Sequence, residues 1–324
     1  MKAVVCEEHG PPESLVVTDV PDPEPGPTEV VVDVEAASVN FPDVLIIQGK
    51  YQVQPPLPFS PGSEVAGTIS AVGSEVGDHQ AGDRVLAAPG FGGFAEKVTV
   101  DQSGLFRVPD GVTAEQAAAL YLTYATSYYA LKDRGELLPG ETLLVLGAAG
   151  GVGLSAVELG HRMGARVIAA ASTDDKLELC REYGADAAIN YSNEDLKERA
   201  KELTGGEGVD VVYDAVGGPY SEPALRATAW NGRFLVIGFA AGDIPKIPLN
   251  LALLKSCSIV GVYWGMSTVR EPELHQANVA QLLEWLASGE LQPHISARYP
   301  LERASEALAD MAARKVKGKV VIVP

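Results

Sequence analysis

Residues 143–153, LLVLGAAGGVG, place an apolar run, a glycine-rich turn and the start of a helical pattern in one continuous stretch. This combination suits a dinucleotide pyrophosphate. Glycines let the backbone approach the phosphates, and a helix start offers unpaired N–H groups at the positive end of its dipole. Ala148-x-Gly150-x-x-Gly153 reads as a G-x-G-x-x-G fingerprint with alanine in first place. Such a fingerprint is weak alone and gains weight from context. Here Leu143–Leu146 precede it, and Leu154, Val157 and Leu159 follow at helical spacing. Ala149, Gly150, Gly151 and Val152 are therefore the expected phosphate-facing residues. The competing reading is an ordinary strand–helix turn without a ligand.

The next strand of such a fold usually ends in an acid that binds the adenosine ribose, roughly 20 to 25 residues after the fingerprint. The stretch 165–171 instead runs into Ser172, so no carboxylate would repel a 2′-phosphate. Lys176, one turn into the following helix, supplies a positive charge. Tyr191, after the third strand, flanks the same place. This set favours NADPH over NADH. Asp174 and Asp175 argue the other way, unless they serve as first-turn acids of a helix capped by Ser172.

Two more glycine-bearing turns close later strands: Asp214-Ala-Val-Gly217-Gly218, and Gly238-Phe239-Ala240-Ala241-Gly242. Ligands of open α/β sheets bind outside the carboxyl ends of the strands, so Gly217, Phe239 and Ala240 join the expected cofactor crevice. Each loop taken singly is equally an ordinary turn.

The elements that must hold these residues change character along the chain. The first ~120 residues read as short strands at 1–6, 15–19, 29–37, 63–72, 84–87 and 95–100, broken by prolines at 21–27 and 55–61. That spacing predicts a partly closed, barrel-like β domain. Helices follow at 114–119 and 123–134. Then strands at 142–146, 166–170, 187–190, 209–215, 233–238 and 258–263 alternate with helices at 151–163, 174–183, 194–203 and 220–229. Alternation of this kind predicts a Rossmann, doubly wound parallel sheet. Helices at 273–287 and 301–313 and a strand at 319–323 complete the chain, and that strand can return to the first domain.

Composition sets outer limits. The chain has 324 residues, 46% hydrophobic and 21% charged, enough for two cores. A formal charge of −18 disfavours nucleic acid and anionic membranes as partners, because both repel it. No window approaches the ~20 apolar residues of a membrane span. The acids right after MKAVVC speak against a secretory signal, and Cys6, Cys180 and Cys257 are too scattered for a disulfide framework. Both features fit the cytoplasm. The five histidines lie outside the motifs, and no Ser-His-Asp grouping or G-x-S-x-G elbow occurs.

Ser38-Val-Asn40-Phe-Pro-Asp43, Gly49-Lys-Tyr51, Pro61-Gly-Ser63-Glu64-x-x-Gly67 and the 148–153 turn together resemble the medium-chain dehydrogenase/reductase superfamily, in its zinc-independent quinone oxidoreductase (zeta-crystallin-like) branch. The resemblance covers nearly the whole chain. It implies a discontinuous GroES-like catalytic domain (1–122 and 265–324) around a Rossmann domain (123–264), with substrate meeting nicotinamide in a cleft between them. It implies that Asn40 is a hydrogen-bond donor beside nicotinamide and substrate, and that Thr126 lies beside the cofactor. A turn asparagine and a capping or core threonine are the local alternatives. In the similar enoyl-thioester reductases a tyrosine in a Gly-x-Tyr segment is the proposed proton donor, which points to Tyr51. A phenol with pKa near ~10 carries its proton at neutral pH, but a packed loop aromatic is the other reading.

The departures matter as much. Zinc members carry Cys-x-x-Asp and Gly-His-Glu, where Cys and His bind the metal. Asn40 and Ser63 occupy those places here, and neither is a normal zinc ligand. The lobe of four clustered cysteines is missing too. No metal is expected, and without a Lewis acid the acceptor must already be electron-poor.

The expectation is an NADPH-dependent reductase acting on a quinone or other conjugated carbonyl. The alternatives are 2-enoyl-thioester reduction with Tyr51 as proton donor, and a non-catalytic NADPH-binding protein. The resemblance also implies a homodimer formed through the strand at 257–264, since an exposed apolar edge invites pairing.

Overall fold

The computed structural model describes every residue, Met1–Pro324. By packing, the chain divides into Met1–Leu122 with Gln281–Pro324, and Thr123–Ala280.

The first unit is organised on its longest strand, Glu29–Val39. The β-branched residues Val30, Val31 and Val32 are all buried there, as befits a strand covered on both faces. The seven-stranded sheet runs Ile295–Pro300, Lys319–Val323, Glu29–Val39, Val65–Val72, Arg84–Ala87 and Leu105–Arg107, with Lys97–Asp101 also paired to Glu29–Val39. Lys319–Val323 lies antiparallel to Glu29–Val39, with Val320 opposite Val39. The expected return of the last strand to this sheet is thus observed.

Three elements here were not anticipated: the strands Leu105–Arg107 and Ile295–Pro300 and the helix Phe41–Ile47. The helix has local start signals. Asn40 sits in extended backbone, Pro42 lies in the first turn, and the Asp43 carboxylate accepts the Asn40 N–H at 2.8 Å.

The second unit holds six parallel strands in the order Ala187–Asn190, Arg166–Ala171, Thr142–Leu146, Val209–Asp214, Thr228–Val236, Ser258–Gly261. This is the doubly wound sheet expected. Leu143–Leu146 and Val211–Tyr213 are fully buried, because helices cover both faces. The order reverses beside Thr142–Leu146, so the switch point lies where that strand and Val209–Asp214 end together, Asp214 level with Leu146.

Helical expectations needed adjustment. The two helices at 114–119 and 123–134 are one, Ala114–Tyr128, continued by a π turn, Tyr129–Arg134. Leu120, Tyr121 and Leu122 contain no breaker, so nothing interrupts the backbone bonds. The division also falls after Ala280, whereas the sequence placed it after residue 264. Polar contacts explain the shift: Tyr129 Oη donates to Glu271 at 3.1 Å, and Asn278 bonds Lys132 and Asp133 at 2.9 and 2.6 Å. These hold 271–278 to the second unit. No helix is long and apolar enough to cross a membrane.

Candidate functional site

In the second unit the glycine turn leads from Thr142–Leu146 into the helix Gly151–Arg162. Gly147 takes the left-handed region, φ +68°, which a side chain would strain. A Cβ at Gly153 would fall 2.2 Å from the Gly147 carbonyl oxygen. Only glycine lets the helix start so near the turn. The N-cap is Gly150, and no side chain caps the first turn, leaving the N–H groups of Gly151 and Val152 for an anion. Ala149, in the same turn, is buried. The turn fits a pyrophosphate.

Neighbouring loops meet at this turn. A Cβ on Gly147 would lie 2.7 Å from the Val216 side chain. Asp214, 3% exposed, gathers its own loop: one oxygen accepts from Val216 N at 2.9 Å and Gly217 N at 2.8 Å, the other from Ser221 Oγ at 2.5 Å. Burial pushes this carboxyl above its ordinary range, while those three donors pull it back. Gly217 has φ +71°, and a Cβ there would meet Phe239 at 2.8 Å. Ala240 N and Ala241 N donate to the carbonyls of Ala215 and Val216 at 3.2 and 2.7 Å. Gly217, Phe239 and Ala240 are thereby brought together.

Thr126 lies inside the helix Ala114–Tyr128, which excludes a capping role. Its neighbour Ser127 donates to the Val152 carbonyl at 2.9 Å and bonds Ser155 and Tyr213, each at 2.8 Å. Those three residues pin the helix to the cradle and were not singled out from sequence. From sequence Asp214, too, reads only as part of a turn, though an acid shortly before two glycines is a signal for an Asx-type loop.

Ser172 follows the strand Arg166–Ala171 as expected, but it is not the cap of the next helix. Thr173 is the N-cap of Asp174–Glu182. The cause is strand length: pairing continues through Ala171, where Asn190 lies opposite, and helical backbone begins one residue later than the Ser-x-x-Asp pattern suggests. Both nearby acids are engaged, Asp174 by the Asn190 amide at 2.7 Å and Asp175 by the Thr173 hydroxyl. Lys176 is partly buried on the same first turns. Tyr191 packs on Tyr220, ring centroids 4.4 Å apart.

In the first unit Asn40 is 3% exposed and tightly held. Its Nδ2 donates to Glu64 Oε1 at 2.8 Å and faces Ser38 O at 3.3 Å and Ser63 Oγ at 3.5 Å. Its Oδ1 accepts from Lys319 Nζ at 2.6 Å, and that ammonium also bonds Glu64 Oε1 at 2.9 Å. Glu64 Oε2 accepts from Leu122 N at 2.7 Å. Asp43 is wholly buried, which pushes its carboxyl up to about 7 against the pull of the Asn40 N–H. From sequence Glu64 reads only as part of a motif, and Lys319 carries no local signal. Tyr51 follows the helix Phe41–Ile47, its ring packed partly buried against the first unit's core. No three His, Cys, Asp or Glu side chains assemble as a ligand set.

Residues 26–110 match the family described as "Alcohol dehydrogenase GroES-like domain", and residues 151–288 match "Zinc-binding dehydrogenase". The chain is 44% identical to the "Quinone oxidoreductase-like protein 2 homolog" of Nematostella vectensis, over 99% of this chain and 88% of that protein. It is 37% identical to a "Quinone oxidoreductase" of Pseudomonas aeruginosa, over 100% and 99%. The crystal structure of Escherichia coli quinone oxidoreductase complexed with NADPH superposes with a TM-score of 0.93, at 33% identity and full coverage of both chains.

Proposed function

As the chain belongs to the zinc-independent quinone oxidoreductase branch of the medium-chain dehydrogenase/reductase superfamily, we propose that it is an NADPH-dependent reductase passing hydride to a quinone or similar conjugated carbonyl. The observation that carries this reading is the donor set at Asn40 and Ser63. An amide and a hydroxyl stand where zinc members place a thiolate and an imidazole, so the acceptor must stabilise the arriving charge itself. Quinones and enones do so through conjugation.

Bound NADPH supplies the hydride, and the protein supplies position. The uncapped N–H groups of Gly151 and Val152 hold the pyrophosphate, with Gly217, Phe239 and Ala240 along the nicotinamide half and Thr126 beside it. Ser172 and Lys176 take the 2′-phosphate, and Tyr191 flanks the adenosine. Asn40 offers its Nδ2–H to the acceptor oxygen, and Tyr51 is the proton donor of the alternative reading, 2-enoyl-thioester reduction.

A homodimer belongs to the same reading. Ser258–Gly261 is a sheet edge whose one strand neighbour is Thr228–Val236. Beside it Leu253 and Val269 are 79% and 73% exposed, an apolar surface that a second copy would cover. The three free, buried cysteines suit the reducing cytoplasm.

The test is oxidation of NADPH and NADH with a simple para-quinone, an enal and a short enoyl-CoA, each with and without chelator. Quinone turnover with NADPH, indifferent to chelator, supports the proposal. Loss on chelation overturns the zinc-free reading. Turnover confined to enoyl-CoA replaces it with thioester reduction, and tight NADPH binding without turnover replaces it with a binding protein.

A further inference from the structure

Five polar residues of the first unit, Ser38, Asn40, Asp43, Glu64 and Lys319, are each at most 3% exposed. Three of them are ionisable, and taking such groups out of water is costly unless the geometry repays it. A leucine at 319 would have filled the space without that cost. The ammonium arrives by strand register: Val320 faces Val39, so the next rung sets Lys319 beside Asn40. There Nζ spans two oxygens, Asn40 Oδ1 at 2.6 Å and Glu64 Oε1 at 2.9 Å.

We propose that Lys319 is the positioning residue of the acceptor site, acting through Asn40. This rests on the reading above, in which Asn40 Nδ2 bonds the acceptor oxygen. An amide can present either end to a neighbour. With an ammonium on one side and a carboxylate on the other, the flipped form would set NH2 against NH3⁺ and oxygen against carboxylate. Lys319 and Glu64 thus select one orientation. Glu64 is itself fixed, since its second oxygen takes the Leu122 N–H.

The lock also prepares the donor. One Nδ2 hydrogen is committed to Glu64 at 2.8 Å, while the contacts to Ser38 O and Ser63 Oγ are long at 3.3 and 3.5 Å. The second hydrogen is loosely held and passes to any stronger acceptor. A carbonyl oxygen gaining negative charge as hydride arrives is one. The ammonium on Oδ1 draws electron density through the amide and strengthens Nδ2–H as a donor, as hydrogen bonds in a chain reinforce one another. This stabilisation grows toward the transition state, so it acts on kcat.

Three variants test the role: Lys319→Met, Lys319→Arg, and the charge-balanced double Lys319→Met with Glu64→Gln. Quinone reduction, NADPH affinity by fluorescence and thermal midpoint are read for each. Lys319→Met is expected to lower kcat about a hundredfold, the range seen when one transition-state donor is lost. NADPH affinity should stay within about twofold, since the residues proposed to hold its pyrophosphate and 2′-phosphate all lie within 151–176, and 1 kcal/mol would already be about fivefold. Lys319→Arg, which keeps the charge, should restore part of kcat. The double variant should regain the thermal midpoint without regaining kcat. Recovery of kcat in the double variant, or Lys319→Met turning over at the wild-type rate, overturns the inference and leaves Lys319 a folding partner of Glu64. A wild-type protein that reduces none of the acceptors overturns the functional reading instead, and the positioning role falls with it.

Discussion

Gly153 stands so close to Gly147 that a Cβ on the former would lie 2.2 Å from the carbonyl oxygen of the latter. The atom in the way is backbone, so the turn itself must move. Overpacking of this kind costs roughly 1–3 kcal/mol, and the displaced groups are those expected to hold the pyrophosphate. Gly153→Ala should weaken NADPH binding by about tenfold or more. A fluorescence titration checks it, and an unchanged Kd would contradict the cradle.

Asp214 collects three donors from its own loop. Asp214→Ala leaves them unmatched in a buried place, and stability should fall by about 3 kcal/mol as buried donors go unpaired. NADPH affinity should fall with it, because Gly217 is released from position. Urea unfolding and the same titration report the two effects. A stable variant with weaker binding would mean that the loop, rather than the fold, depends on Asp214.

On the proposed reading, Ser172 and Lys176 set cofactor choice. A glutamate at 172 would face the 2′-phosphate with like charge, which costs several kcal/mol where it is poorly solvated. Ser172→Glu should therefore lower the NADPH-to-NADH preference at least about tenfold, at 1.4 kcal/mol per decade. Lys176→Ala should weaken NADPH and leave NADH nearly unchanged. Equal losses for both cofactors would remove these residues from the 2′-phosphate site.

Asp43 is an acid whose native carboxyl is raised by burial from 3.8 to about 7. Between those values the folded state holds a proton that the unfolded state has lost, so this group stabilises most at low pH. Its contribution fades as pH climbs from about 4 to about 7 and is flat beyond. Asp43→Asn keeps an acceptor for the Asn40 N–H and removes the titration. The difference in unfolding free energy between wild type and variant should slope over that window; parallel curves would show that the carboxyl is not raised.

The edge strand Ser258–Gly261 predicts a symmetric pairing with a second copy. Ile259→Asp combined with Leu254→Asp puts charges on that surface, and sedimentation should shift from dimer to monomer. If the wild type sediments as a monomer, the proposed interface is wrong.

Much of the second unit could be read locally because each feature there is one continuous stretch. The strand at 142–146 and the glycine turn are contiguous residues whose apolar and glycine pattern is itself the signal. Errors arose where neighbours decide. Strand pairing through Ala171 moved the helix cap from Ser172 to Thr173. In the same way, hydrogen bonds between the π turn and Glu271 and Asn278 moved a unit boundary.

The first unit shows the limit more sharply. Asn40 and Glu64 sit in a motif, and their types alone rule out an ordinary zinc set. Lys319 reads as one more basic residue after Arg314, Lys315 and Lys317. Arg314 and Lys315 are exposed; Lys319 is 2% exposed and bonded to a residue 279 positions away. Residue types and local spacing determined which chemistry is open to this chain: a phosphate cradle, an amide where a thiolate would be, a serine where an acid would be. Which charge stands behind that amide was decided only by the register between the last strand and Glu29–Val39. That register follows from the burial of both strands in one core, which no local pattern encodes.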